Sequence, residues 1–165
     1  MESWETISKK KRILPENLIE KAKRIREEGK TIATLNGSFD LMHAGHLYIV
    51  YEASKAADIL IVALNSDDSI KRYKGPKKPI VSLEHRIQFL SALSFVNYVT
   101  WFDEDNPCAL LEKILPDVHV NGEEYGKNCI EAKTVESYGG KIKLVPRIGN
   151  LSTTEVIKKI KSVYA

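Results

Sequence analysis

The sequence predicts an α/β fold, a parallel sheet wrapped by helices in a single domain, and three observations carry that prediction. Apolar β-branched runs alternate with segments of helical periodicity along all 165 residues. One run, Asp58–Asn65 (Asp-Ile-Leu-Ile-Val-Ala-Leu-Asn), is apolar almost without a break, as a strand covered on both faces must be. No repeat, low-complexity tract or linker divides the chain, and its length suits one core. Such an architecture is Rossmann-like, with ligands bound beyond the C-terminal ends of the strands. Residues 1–12 read as an N-terminal arm and residues 13–165 as the domain.

The elements follow in order. Pro15–Glu28 reads as an amphipathic helix, with Leu18, Ile19, Ala22 and Ile25 on one stripe and Gly29 as its stop. Thr31–Asn36 is the first strand and Gly45–Ala56 a helix. Asp58–Asn65 is the next strand, followed by a helix near Leu83–Ser94 and a strand at Tyr98–Phe102. Pro107–Leu115 reads as helix, Val118–Asn121 as a short strand, and Glu131–Tyr138 as a helix closed by Gly139-Gly140. Lys141–Val145 is the last strand. A final helix starts at Ser152, with Glu155 three residues on as a capping box.

Composition narrows the function classes. With 43% hydrophobic and 28% charged residues the chain is that of an ordinary globular protein. No apolar segment is long enough to span a bilayer, and Met1-Glu2-Ser3-Trp4-Glu5 lacks the pattern of a secretory leader. Cys108 and Cys129 follow no metal-ligand spacing and read as reduced thiols, which points to the cytoplasm. The net charge of +3 comes largely from Lys9–Arg12 and Lys71–Lys78. The first cluster reads as a solvated arm. Without an aromatic platform or a reading helix, neither cluster predicts a nucleic-acid partner.

The chemistry concentrates where the first strand meets its helix. Asn36-Gly37-Ser38-Phe39-Asp40 leads into His43-Ala44-Gly45-His46. Imidazoles at i and i+3 share one face of a helical turn, and the helix start beneath them offers N–H groups and a positive dipole end. Gly37 permits a tight turn and Gly45 a close backbone approach. This arrangement suits a polyphosphate, because imidazole N–H groups can stabilise charge that develops during phosphoryl or nucleotidyl transfer. A helix cap is the competing role for either histidine. Four segments that follow strands, Asn36–His46, Asn65–Asp67, Asn121–Glu124 and Arg147–Thr153, are expected to converge on one cleft. The basic stretch Lys71–Lys78 reads as a loop facing it, with Lys74 as a mobile phosphate clamp.

These residues resemble the cytidylyltransferase-like nucleotidyltransferases. Gly37 to His46 matches their G-x-F-D-x-x-H-x-G-H signature, and Leu151-Ser152-Thr153-Thr154 their late I-S-T-[ST] signature. Within that superfamily the chain is similar to the heptose-1-phosphate adenylyltransferase domain of ADP-heptose synthesis. The similarity lies in Val62–Asp67, Lys71–Pro76, Leu83–Arg86, Ile114–Asp117 and Gly139-Gly140, and extends over about residues 13 to 160. Departures are Gly122-Glu123-Glu124-Tyr125 in place of an acidic G-D-Y, and Gly149-Asn150 in place of an acidic-Gly pair. Pro146-Arg147 and Glu84-His85-Arg86 are closer to glycerol-3-phosphate cytidylyltransferase.

The resemblance implies a reaction and a set of roles. An acceptor phosphate attacks the α-phosphorus of a nucleoside triphosphate and expels pyrophosphate, with Mg²⁺ accompanying the triphosphate and few or no protein ligands to it. ATP with a heptose 1-phosphate is the implied pair. CTP with glycerol 3-phosphate or a related polyol phosphate is the alternative. His43, His46 and Lys74 would be catalytic. Arg86 would reach phosphates bidentately, and Ser152 and Thr153 would present hydroxyls and N–H groups to the β- and γ-phosphates. Asp40 would orient the acceptor, a loop backbone or the metal. Gly37 and Gly122 would pass close beneath the nucleotide. Asn36, Ser38, Phe39, Gly45, Asn65, Asp67, Asn121, Glu124, Arg147 and Leu151 complete the expected nucleotide site. His85 and His119 read as structural, and a homodimer is common among such proteins. A binding module without turnover is the competing class.

Overall fold

The structure, a computed structural model, describes residues 3–149 and 152–164. Its centre is a parallel sheet of five strands in the order β3-β2-β1-β4-β5: β1 (Ile32–Gly37), β2 (Ile59–Asn65), β3 (Tyr98–Phe102), β4 (Val118–Gly122) and β5 (Lys141–Val145). The fold is the expected Rossmann-like α/β sheet. Alternate residues of each strand pack on opposite faces. Ala33, Leu35, Val62, Leu64, Val99 and Val120 build one core with α3 (Ala44–Ser54) and α5 (Leu83–Ser91). Ile32, Ile61, Ala63 and Phe102 build the other with α2 (Leu18–Glu27), α6 (Cys108–Ile114) and α7 (Ala132–Ser137). β2 is buried along its whole length, which explains its unbroken apolar sequence.

Two helices depart from the sequence reading. Trp4–Lys11, expected as a solvated arm, forms α1, capped by Ser3 and packed against α5. Two members of its basic tail are engaged internally: Lys11 Nζ donates to the Leu93 carbonyl at 2.7 Å and Arg12 pairs with Glu84 at 2.6 Å, while Lys9 and Lys10 are exposed. Arg12 also bridges to Val99, and the Ile13 N–H donates to the Val99 carbonyl at 2.9 Å, so the segment covers the β3 edge. The second helix is α4 (Asp67–Lys74), where a loop was expected from Lys71. Ser66 caps it and acidic residues fill its first turn, which complements the helix dipole. Gly75, at φ 96°, ends it, so only the segment from Gly75 to Ser82 is loop.

The connection from β1 crosses to β2 on one side, while β4 lies on the other. Strand order therefore reverses between β1 and β4, and a crevice opens beyond their C-terminal ends. The last helix, α8 (Thr153–Tyr164), stands beside that crevice with no fully buried residue among those described.

Candidate active site

The crevice is a cleft of about 330 Å³ whose floor is Asn36-Gly37 of β1 and Asn121-Gly122 of β4. The start of α3 forms one wall. His43 is its N-cap, and the two imidazoles cap the helix reciprocally. His43 Nδ1 accepts from the Gly45 N–H at 3.1 Å, and His46 Nδ1 accepts from the His43 N–H at 3.4 Å. A ring nitrogen that accepts a backbone N–H carries no proton, so each neutral ring holds its proton on Nε2. The cap thus fixes the tautomer that leaves an Nε2–H donor on each ring. The ring centroids lie 4.0 Å apart. Burial, then the neighbouring His43 and Lys74, push the His46 pKa down to about 4. Burial followed by Arg147 lowers that of His43. Both rings are neutral N–H donors at pH 7.

Phe39 prepares this wall. It adopts φ 48°, a region that non-glycine residues rarely occupy, and its ring lies 5.6 Å from that of His46. A Cβ at Gly37 would meet the Phe39 ring at 3.0 Å, and one at Gly122 would strike the Glu124 carboxylate. The two glycines thus make room for side chains of the cleft itself.

Lys74 closes one end of the cleft. Its Nζ donates to Ser38 Oγ at 2.8 Å, and partial burial lowers its pKa against the opposing pull of Asp40. At the far rim Arg147 faces Glu124 at 3.4 Å, an exposed pair that contributes little to stability. Ser152 and Thr153, at the start of α8, also line the cleft. Ser152 Oγ accepts from the Glu155 N–H at 3.2 Å, which is half of the expected capping box; the Glu155 carboxylate pairs with Lys158. Leu151 lies outside the described residues.

The structure brings Asn36, Gly37, Ser38, Phe39, His43, Gly45, His46, Lys74, Asn121, Gly122, Glu124, Arg147, Ser152 and Thr153 to the cleft. It corrects three other expectations and narrows a fourth. Arg86 is not a phosphate ligand: its side chain is 1% exposed, and its guanidinium donates to the carbonyls of Val81 (3.0 Å), Ser38 (2.6 Å) and Asn65 (2.9 Å) and to Asp67 Oδ1 (2.7 Å). A guanidinium so engaged braces three segments and has no reach into solvent. Asp67 is spent on that pair, and the Asn65 amide donates to Ser69 Oγ at 3.1 Å. Asp40 accepts from the Ile80 and Val81 N–H groups, each at 2.8 Å to Oδ1. Of the three roles open to it, the structure supports tying down the loop backbone.

Sequence reasoning missed Tyr48, Ile49, Tyr125 and Thr154, which also line the cleft. Thr154 was within reach, because it completes the late signature; the others are ordinary residues of helix or turn. Among the described residues no group of three or more His, Cys, Asp or Glu is placed to hold a metal. Both cysteines are thiols, and no helix is long and apolar enough to cross a membrane. His119 is buried, with Nδ1 2.8 Å from Thr34 Oγ1, and His85 lies on the exposed side of α5.

A reversed strand order with two helix starts facing its crevice defines an α/β ligand-binding domain of the Rossmann-like class. The chain belongs to the cytidylyltransferase-like family, which it matches over residues 34–163. It is 42% identical over 140 residues to a protein named Bifunctional protein HldE from Syntrophotalea carbinolica, covering 84% of this chain and 29% of that one. A protein of the same name from Hahella chejuensis is 42% identical over 137 residues, with 82% and 29% covered. The chain thus spans under a third of the length of these relatives. The crystal structure of the lipopolysaccharide core biosynthesis protein from Thermoplasma volcanium GSS1 superposes with a TM-score of 0.59 at 26% identity. It covers 74% of this chain and 100% of that one.

Proposed function

We propose that the protein is a nucleotidyltransferase that transfers AMP from ATP to a sugar 1-phosphate, D-glycero-β-D-manno-heptose 1-phosphate, forming ADP-heptose and pyrophosphate. The observation that carries this reading is the reciprocal imidazole cap, which aims two neutral Nε2–H donors at a cleft whose other sides hold Lys74 and the start of α8. An acceptor phosphate oxygen forms a bond to the α-phosphorus while the bond to the β-phosphate bridging oxygen breaks, and pyrophosphate departs with that electron pair. His43 and His46 donate to the phosphoryl oxygens as charge shifts onto the leaving group, and Lys74 neutralises it. No side chain is needed as a nucleophile. Ser152 and Thr153 grip the terminal phosphates.

The sparse carboxylates of the cleft fit a Mg²⁺ that is held chiefly by triphosphate oxygens and water, as this ion prefers. The choice of heptose over other acceptors rests on the resemblance between Val62 and Gly140 and on the relatives' similarity over that region. A homodimer in the cytoplasm, without nucleic-acid or membrane partners, completes the reading.

Pyrophosphate release with ATP and CTP, each offered heptose 1-phosphate and glycerol 3-phosphate, tests it. ATP with the heptose phosphate should be turned over best. Higher kcat/KM with CTP would replace this reading by the cytidylyltransferase alternative. Nucleotide binding without pyrophosphate release from any pair would make the protein a binding module.

A further inference from the structure

Ser38 is gripped by its backbone and grips with its side chain, and no step above uses it. Its carbonyl accepts from Arg86 at 2.6 Å, and that guanidinium is itself 1% exposed. Its Oγ accepts from Lys74 Nζ at 2.8 Å, across 36 residues of sequence, and both residues line the cleft. Lys74 is the last residue of α4, and Gly75 at φ 96° breaks the helix just beyond it. A four-carbon stem at such a place has much rotamer freedom to lose. Charge alone does not fix it. Burial lowers the Lys74 pKa; Asp40 opposes that, while the cations of Lys78 and Arg86 add to it. The Asp40 carboxylate already accepts from the Ile80 and Val81 N–H groups. An ammonium only donates, so the Ser38 oxygen accepts and keeps its own proton to give elsewhere. Tyr73 feels the same hydroxyl: burial raises its pKa, and a hydrogen bond with Ser38 opposes the rise. The last two residues of α4 thus both engage one anchored hydroxyl. A neutral hydroxyl holds an ammonium less strongly than a phosphate oxygen does, so an arriving triphosphate can take over the charge with no ion pair to break.

We propose that Ser38 is a positioning residue for Lys74: its hydroxyl holds the ammonium in the cleft before the nucleotide arrives and yields it to the triphosphate. The inference rests on the nucleotidyltransferase reading and deepens it. Ser38 then acts on the nucleotide through Lys74 and not by a contact of its own.

A double-mutant cycle tests this, with binding of ATP and AMP in the presence of Mg²⁺ and pyrophosphate release as readouts. Ser38→Ala should weaken ATP about three- to tenfold and AMP by less than about twofold, because the misplaced charge serves the terminal phosphates. Ser38→Thr, which keeps the hydroxyl, should stay within about twofold of the wild type. In a Lys74→Met background Ser38→Ala should change ATP binding by less than about twofold, since the group it positions is gone. A direct contact between Ser38 and the nucleotide would keep its full effect in that background, and that result overturns the proposal. A merely structural role would weaken ATP and AMP alike, which overturns it too. Equal ATP binding by the wild type and Ser38→Ala does the same, even if the double variant fails to fold. Absent pyrophosphate release with the binding cycle as expected would defeat the enzymatic reading alone.

Discussion

Two helix starts line the cleft, and they are built to different standards. The α3 start is anchored: Val50 and Ala53 of that helix are fully buried, both imidazoles are locked by backbone N–H groups, and the preceding Ser38 is held through its carbonyl by Arg86. The α8 start rests on a helix with no fully buried residue among those described, and among the described residues Ser152 is bonded to its own first turn, to the N–H groups of Glu155 and Val156. Transition-state stabilisation demands donors already in place, since any reorganisation at the moment of reaction adds to the barrier. Gripping a ground-state phosphate tolerates motion and gains from closure. On the proposed nucleotidyl transfer, the difference assigns the chemistry to the rigid wall and binding and release to the loosely held one.

That division can be broken at its foundation first. Arg86→Leu leaves three carbonyls and the Asp67 carboxylate without their shared donor, and should cost about 3–5 kcal/mol of stability in denaturant unfolding. A loss under about 1 kcal/mol would show that the α3 wall does not depend on the brace.

The two walls themselves are compared next. His46→Ala should lower kcat by roughly two orders of magnitude, about 3 kcal/mol, with a modest change in KM. Ser152→Ala should instead raise the KM for the triphosphate a fewfold and spare kcat, with at most about 1 kcal/mol lost from the cap. If the two variants shift kcat alike, the division of labour is wrong.

The smallest effect sharpens the anchored side. His46 and His119 have folded pKa values near 4, held down chiefly by burial, against about 6.5 in the unfolded chain. Between those values the unfolded state binds protons that the folded state refuses, so stability is full above about pH 6.5 and falls as pH drops toward about 4. Thermal melts from pH 7 to pH 5 should show this slope, and His119→Leu should flatten it. An unchanged slope would mean that His119 binds its proton as readily in the fold as in the unfolded chain.

Local patterns made much of this legible from sequence. β3 and β5 begin and end where their apolar runs do, and the imidazole pair lies at the junction its spacing indicated. Helices α1 and α4 escaped because dense charge hides their periodicity, although the serine caps at Ser3 and Ser66 with acids just behind them were readable signals. Arg86 was misread for a deeper reason. Its partners are carbonyls 48, 21 and 5 residues away, and backbone acceptors leave no mark in side-chain sequence. Asp40 is the same case in reverse, a carboxylate claimed by N–H groups some 40 residues on.

The contact between Arg12–Ile13 and Val99 bears on how this chain behaves in a crowded solution. A sheet ends in two rows of unspent backbone hydrogen-bonding groups, each a template on which another chain can add itself as a strand. On one flank the molecule spends its own N-terminal residues as a short, permanent guard, and α1 beside it holds that guard in place. On the other flank β5 carries Lys141 and Lys143, whose charges discourage an incoming strand. Shortening the chain past Ile13 would leave every cleft residue in place, yet it would open the β3 edge to strand addition. The described N-terminal residues, 3–12, thus lie outside the cleft and guard the β3 edge against strand addition.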